Sequence, residues 1–211
     1  MPTLDQARAW YTGADAVHDF EHIQRVLTMA ERLALAEGAD LDVVRAAALL
    51  HDANGAAPAN AEGRAAHHEN SAKFARAVLL AEGWPEERIQ AVQHCIRAHR
   101  FRGGEPPQTL EAQILFDADK LDVLGAIGVA RVMAYAALAG EPLTGEVSES
   151  FRAAFQKQAG EPHTPYHEFL FKLSRIKECL HTQTARALAE ERHQYLSDFF
   201  ARLHAEIRGE L

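Results

Sequence analysis

Apolar residues recur at three- and four-residue spacing along almost the whole chain, and no run alternates with period two. That pattern restricts the chain to a helical fold. It predicts about eight helices, near 19–37, 41–52, 66–82, 85–99, 109–139, 148–158, 166–180 and 182–207. In the first, Ile23, Val26, Leu27, Ala30 and Leu33 share one stripe, and Gly38 stops the helix. In the second, Val44, Ala47, Ala48 and His51 share a face. The stretch 53–64, rich in Ala, Asn, Gly and Pro, reads as a loop, as does 101–107. The stretch 109–139 reads as one long helix, with Gly125 and Gly128 permitting close helix packing. No repeat or low-complexity linker divides the sequence. The expected fold is all-α, a single-domain orthogonal helical bundle over 1–211, with a core at about 18–139 and C-terminal helices at about 148–208 packed on it.

Composition narrows the function. The chain has 211 residues, and 22 Lys+Arg against 30 Asp+Glu give a net charge of −8, which argues against stable nucleic-acid binding. Apolar runs are too short to span a bilayer, and the first residues lack the basic and apolar regions of a secretory signal. Cys95 and Cys179 stand in no metal or disulfide motif, so the expected compartment is cytoplasmic. The 12 histidines outnumber the 4 Tyr and 2 Trp together, and their placement carries the argument.

His51-Asp52 ends an otherwise apolar run, Ala46-Ala-Ala-Leu-Leu-His-Asp. An ionised Asp is costly to bury there without compensation, and a metal ion is the strongest compensator available. His22 lies on or beside the apolar stripe of its own helix. Asp119 lies in Ile114-Leu-Phe-Asp-Ala-Asp-Lys-Leu-Asp-Val-Leu-Gly, another core-facing helix. Two imidazoles and two carboxylates make a mixed nitrogen and oxygen donor set. That set suits Mn, Fe, Co or Ni, with Mg also possible, better than a structural Cys-rich zinc site.

His22 … His51-Asp52 … Asp119 resembles the H…HD…D signature of the HD-domain metal-dependent phosphohydrolases. The likeness covers nearly the whole chain. His94-Cys-Ile-Arg-Ala-His, the stretch 109–131 with its Asp-Ala-Asp-Lys-Leu-Asp and Gly-Ala-Ile-Gly, and the stretch 182–193 are similar to small single-domain bacterial members. The resemblance implies an HD-type helical bundle and a metal held by His22, His51, Asp52 and Asp119. It also implies cleavage of a phosphoester or phosphoanhydride by a metal-activated water; some relatives remove pyrophosphate from nucleoside triphosphates. Asp117, Asp119 and Asp122 compete for the fourth ligand position, which Asp119 matches in the motif. Asp122 is then expected to orient a ligand, hydrogen-bond a helix terminus or contact substrate, and Asp117 to be solvated.

His68 and His99 fall where some HD relatives hold a second metal, so one metal is expected and a second is allowed, with both residues lining the substrate cleft. Glu69 is a candidate acid or base. Arg97, Arg100, Arg102 and Lys120 would supply the positive field that a phosphate needs against the net charge, Lys120 acting in catalysis beside Asp119; Arg192, Lys172, Arg175 and Lys177 are further cations. His67, His94, His163, His167, His181, His193 and His204 read as surface or capping residues. The expected partner is a phosphorylated small molecule, a nucleotide by preference, and a homodimer is possible. Two other functions compete: a di-iron oxygenase on the same scaffold, and a non-catalytic nucleotide-sensing helical module.

Overall fold

The computed structural model describes residues 1–11, 20–53, 61–100 and 105–211, and in 61–66 the backbone alone. All regular structure among the described residues is helical, as the periodicity predicts. The elements are α1 (Leu4–Arg8), α2 (Phe20–Glu37), α3 (Leu41–Leu50), α4 (Ala61–Ala81), α5 (Glu86–Ala98), α6 (Leu110–Leu121), α7 (Gly125–Leu138), α8 (Glu149–Ala154), α9 (Pro165–Phe171), a 3-10 helix (Leu173–Cys179) and α10 (Gln183–Ile207). No single helix among them is long and apolar enough to cross a membrane; α6 and α7 reach that length only together, bent by 67°.

These residues form two compact units, 1–119 with 181–185, and 120–180 with 186–211. In the first, α2 and α5 pack on α3, α4 packs on α5, and α1 on α3. Ala46, Ala47 and Ala48 are fully buried on α3, and their small side chains let the neighbouring helices come close. Asp40 starts α3 by accepting the N–H groups of Asp42 and Val43. The core is completed by Ile23, Leu33, Leu50, Leu79, Ile89 and Ile114. The first turn of α10 is held in this unit by two carboxylates. Asp117 accepts the N–H groups of His181 (2.9 Å) and Thr182 (2.7 Å) and the Thr182 hydroxyl (2.7 Å), while Glu37 accepts the Thr184 N–H (2.9 Å). Both satisfy donors that a helix N-terminus leaves open. Asp117, expected to be solvated, is therefore fully buried.

The second unit holds two aromatic groups, Phe151 edge to face with Phe155 at 5.8 Å and Phe169 stacked on Phe200 at 4.7 Å. Glu161 ties its loops: it accepts from the Ser148 N–H and hydroxyl, the Gln158 N–H and His167 Nε2. His167, expected as a surface or capping residue, is a fully buried cap: the Thr164 hydroxyl accepts the His167 N–H at the start of α9, and His167 Nδ1 accepts the Thr164 N–H in return.

Three helix expectations change. The stretch 109–139 is two helices, because Gly125 takes φ +67° and Leu124 is extended. A Cβ on Gly128 would clash with the Val123 carbonyl oxygen, so the chain turns this tightly only with glycine there. Arg192, one of the candidate phosphate cations, donates to the Leu121 carbonyl (2.7 Å) at the end of α6. The stretch 148–158 stops at Ala154 because Phe155 turns left-handed (φ 55°), and 166–180 divides into α9 and the 3-10 helix. The periodicity also missed α1, which a Thr3–Gln6 capping box starts. The loop expected at 53–64 lies largely outside the described residues, and α4 begins at Ala61.

Candidate metal centre

Two helix ends build the site. α3 stops at Leu50, and its C-cap His51 is fully buried with Nδ1 donating to the Ala48 carbonyl (2.8 Å). α5 stops at Ala98, and its C-cap His99 repeats the device, Nδ1 donating to the Ile96 carbonyl (2.6 Å). A carbonyl only accepts, so the proton sits on Nδ1 in both rings and Nε2 faces the cluster. The two rings meet edge to face at 5.1 Å, and His51 meets His22 at 5.6 Å. His22 is buried on the apolar stripe of α2.

Among the described residues, His22, His51 and Asp52 offer ligand atoms that all lie within 4.8 Å of one another. Asp119 of α6 is not one of the three: its Oδ1 stands 3.4 Å from His22 Nε2, with a side chain 14% exposed. Asp52, His67 and His99 form a second group, also within 4.8 Å, so that Asp52 belongs to both. Asp52 Oδ1 stands 3.5 Å from His67 Nε2 and 3.6 Å from His99 Nε2, and the two imidazole Nε2 atoms are 3.4 Å apart. Burial pushes the Asp52 carboxyl up, but the neighbouring rings of His51, His99 and His67 outweigh it and hold the group well below the usual carboxylate range. Asp52 is therefore an anion at neutral pH.

The fit to a cation rests on two orphan atoms. His51 Nε2 and Asp52 Oδ1 are buried and have no hydrogen-bond partner. Leaving such atoms unsatisfied costs about 1–3 kcal/mol each, and a divalent ion would satisfy both. Imidazoles whose second nitrogen is fixed by a backbone carbonyl are pre-oriented as metal ligands. The donor set is the mixed nitrogen and oxygen type that the sequence implied.

The remaining candidates scatter. His67, expected at the surface, reaches the cluster with a side chain 20% exposed. His68, expected in the cleft, is buried with Nδ1 unpartnered, and burial, His67 and Arg100 lower its pKa. Glu69 is half exposed, 3.9 Å from His68 Nε2. Arg97 is engaged by Glu105 (2.8 Å), which also accepts from His94 (2.7 Å). Asp122 pairs with Arg131 within the second unit. Lys120 is buried in the last turn of α6.

Buried imidazoles and carboxylates converging between helices define a centre compatible with a metal-dependent hydrolase. Comparison with known proteins then fixes the family. The HD domain model matches residues 19–124, about half the chain and the whole span from His22 to Asp119. YpgQ of Bacillus subtilis (strain 168) is 30% identical over 99% of this chain and 96% of its own length. Its crystal structure in complex with ADP has a TM-score of 0.75 at 31% identity, covering 98% of this chain and 99% of that one. An HD-superfamily hydrolase from Bacillus thuringiensis gives 0.70 at 27% identity, covering 97% and 94%. The chain belongs to the HD domain family.

Proposed function

We propose that the protein is a metal-dependent phosphohydrolase acting on a nucleotide, with His22, His51, Asp52 and Asp119 holding a divalent cation. The observation that carries this reading is the pair of buried, unpartnered ligand atoms on His51 and Asp52. The nucleotide is supported by YpgQ, a relative over nearly the whole chain, whose structure is a complex with ADP. A divalent cation at this centre would supply Lewis acidity, polarising a phosphoryl oxygen and acidifying a water.

The chain's own groups do the rest. Asp52, ionised and offering Oδ1, accepts a hydrogen bond from the attacking water and aims its lone pair. With its Nδ1 proton committed to Ile96, His99 turns Nε2 toward His67 Nε2 and Asp52. Lys120 supplies positive charge for the equatorial phosphoryl oxygens. The burial of His22, His51 and His99 keeps bulk water away and strengthens these interactions.

The second group, Asp52, His67 and His99, favours a two-metal version in which Asp52 serves both positions. This chemistry also fits the oxygenase alternative, which would show oxygen-dependent turnover with bound iron. Unit 1 and unit 2 are read as one functional domain, because the relatives match both along nearly their full length. The two free cysteines support a reducing, cytoplasmic setting.

Anion release from a nucleotide panel tests the proposal, with Mn, Co, Ni, Mg or chelator, and with Asp52→Ala beside the wild type. Metal-dependent release that is lost in Asp52→Ala is the expected result, and ion chromatography of pyrophosphate against orthophosphate identifies the bond. An Asp52→Ala protein that binds metal stoichiometrically and still hydrolyses substrate would overturn the assignment.

A further inference from the structure

The first eleven residues precede the part of the chain that the HD model matches, yet they are wired into the elements that carry the metal centre. Arg8 lies over the Phe20 ring at the start of α2 (4.5 Å), Trp10 meets Phe74 of α4 edge to face (5.5 Å), and α1 packs on α3. Tyr11 lies inside unit 1, 6% exposed, with its ring 5.9 Å from Phe20. Its hydroxyl donates to the Leu49 carbonyl at 2.9 Å.

That carbonyl matters because of where it lies. The last four carbonyls of a helix have no partner within the helix, and Leu49 is the penultimate residue of α3, two before His51 and three before Asp52. Unpinned, a terminal turn frays. Here the phenol closes it from outside, at the point where the chain leaves the helix to present the two ligands. Burial and the charge of Asp52 raise the Tyr11 pKa well above its ordinary value, which agrees with a phenol that stays protonated beside that carboxylate. Metal centres depend on groups that orient their ligands, and losing one typically costs 10–100-fold in affinity.

We propose that Tyr11 is a positioning residue of the metal centre: by fixing the Leu49 carbonyl it sets the direction in which the chain leaves α3, and so the seats of His51 and Asp52. This rests on the metal reading given above.

The test compares wild type, Tyr11→Phe and Trp10→Phe, the last removing apolar packing while keeping the phenol. Mn(II) and Co(II) affinities are measured by calorimetry on chelator-treated full-length protein. Amide exchange at residues 51–53 is followed by NMR without metal. If Tyr11→Phe is not folded in buffer, all three proteins are measured in sucrose, which favours the folded state. Tyr11→Phe should bind metal about tenfold more weakly and exchange faster at 51–53 than in α2. Trp10→Phe should lose melting temperature but neither affinity nor local protection. Placing 4-aminophenylalanine at position 11, which keeps an N–H donor, should restore affinity. Equal affinity in Tyr11→Phe and wild type overturns the role of Tyr11 and leaves the metal centre standing, and so does a loss of affinity in both variants that only tracks stability. Failure of the wild type to bind either metal overturns the centre and the role together.

Discussion

Three aspartates within six residues show how much one side chain's direction decides. Asp117, Asp119 and Asp122 are equally polar in sequence and lie on one continuous helical pattern. Successive residues turn about 100° around a helix, so Asp117 and Asp119 point to nearly opposite sides: the first meets the amides of His181 and Thr182, the second His22. Asp117→Ala leaves two amides and a hydroxyl without their acceptor, and should lower unfolding free energy by about 3 kcal/mol. Asp117→Asn, which keeps one oxygen, should cost less; urea midpoints read both. Motif position singles out Asp119 as the proposed ligand, but nothing local marks Asp117 as the cap of a helix 64 residues later. The same arithmetic explains the histidine pair on α4. His67 and His68 are neighbours, only one can turn to Asp52, and the sequence favoured the other one.

Helix type and most boundaries were legible because burial imposes the 3.6-residue period on α2, α3 and α5. The corner between α6 and α7 was not, since the apolar pattern runs through it without proline. What breaks the helix is backbone crowding, which leaves no trace beyond two glycines. Gly128→Ala would force a methyl group against the Val123 carbonyl and should cost about 3 kcal/mol. Gly140→Ala, at φ +70° with open space around it, carries only backbone strain and should cost about 1 kcal/mol. Thermal unfolding of the two variants separates crowding from strain. The missed α1 has a related cause: at five residues it is too short to show a period, and its capping box is its only signature.

At the scale of the molecule, acid stability should depend on Glu161. Its hydrogen bonds from His167, Ser148 and Gln158 pull its pKa from 4.5 to about 2. The folded state thus holds the anion more strongly than the unfolded chain does. The stabilisation is complete above the ordinary value of 4.5 and is lost as pH falls toward 2. Melting temperature should decline across that window in the wild type and more gently in Glu161→Gln.

The convergence of α3 and α5 on the cluster has a consequence for the order of assembly. Both helices arrive by their C-termini, the ends that carry about half a negative charge each. Asp52 and Asp119 add to this, on a chain whose net charge is already −8. A phosphate approaching the bare centre would meet repulsion from these groups, which a cation lodged there would reverse. On the proposed function, loading would be ordered, ion before nucleotide. ADP titrated into chelator-treated protein should give no binding heat, whereas the same titration with Mn(II) present should saturate. In a cell, ion supply would then decide when the protein can take up a nucleotide at all.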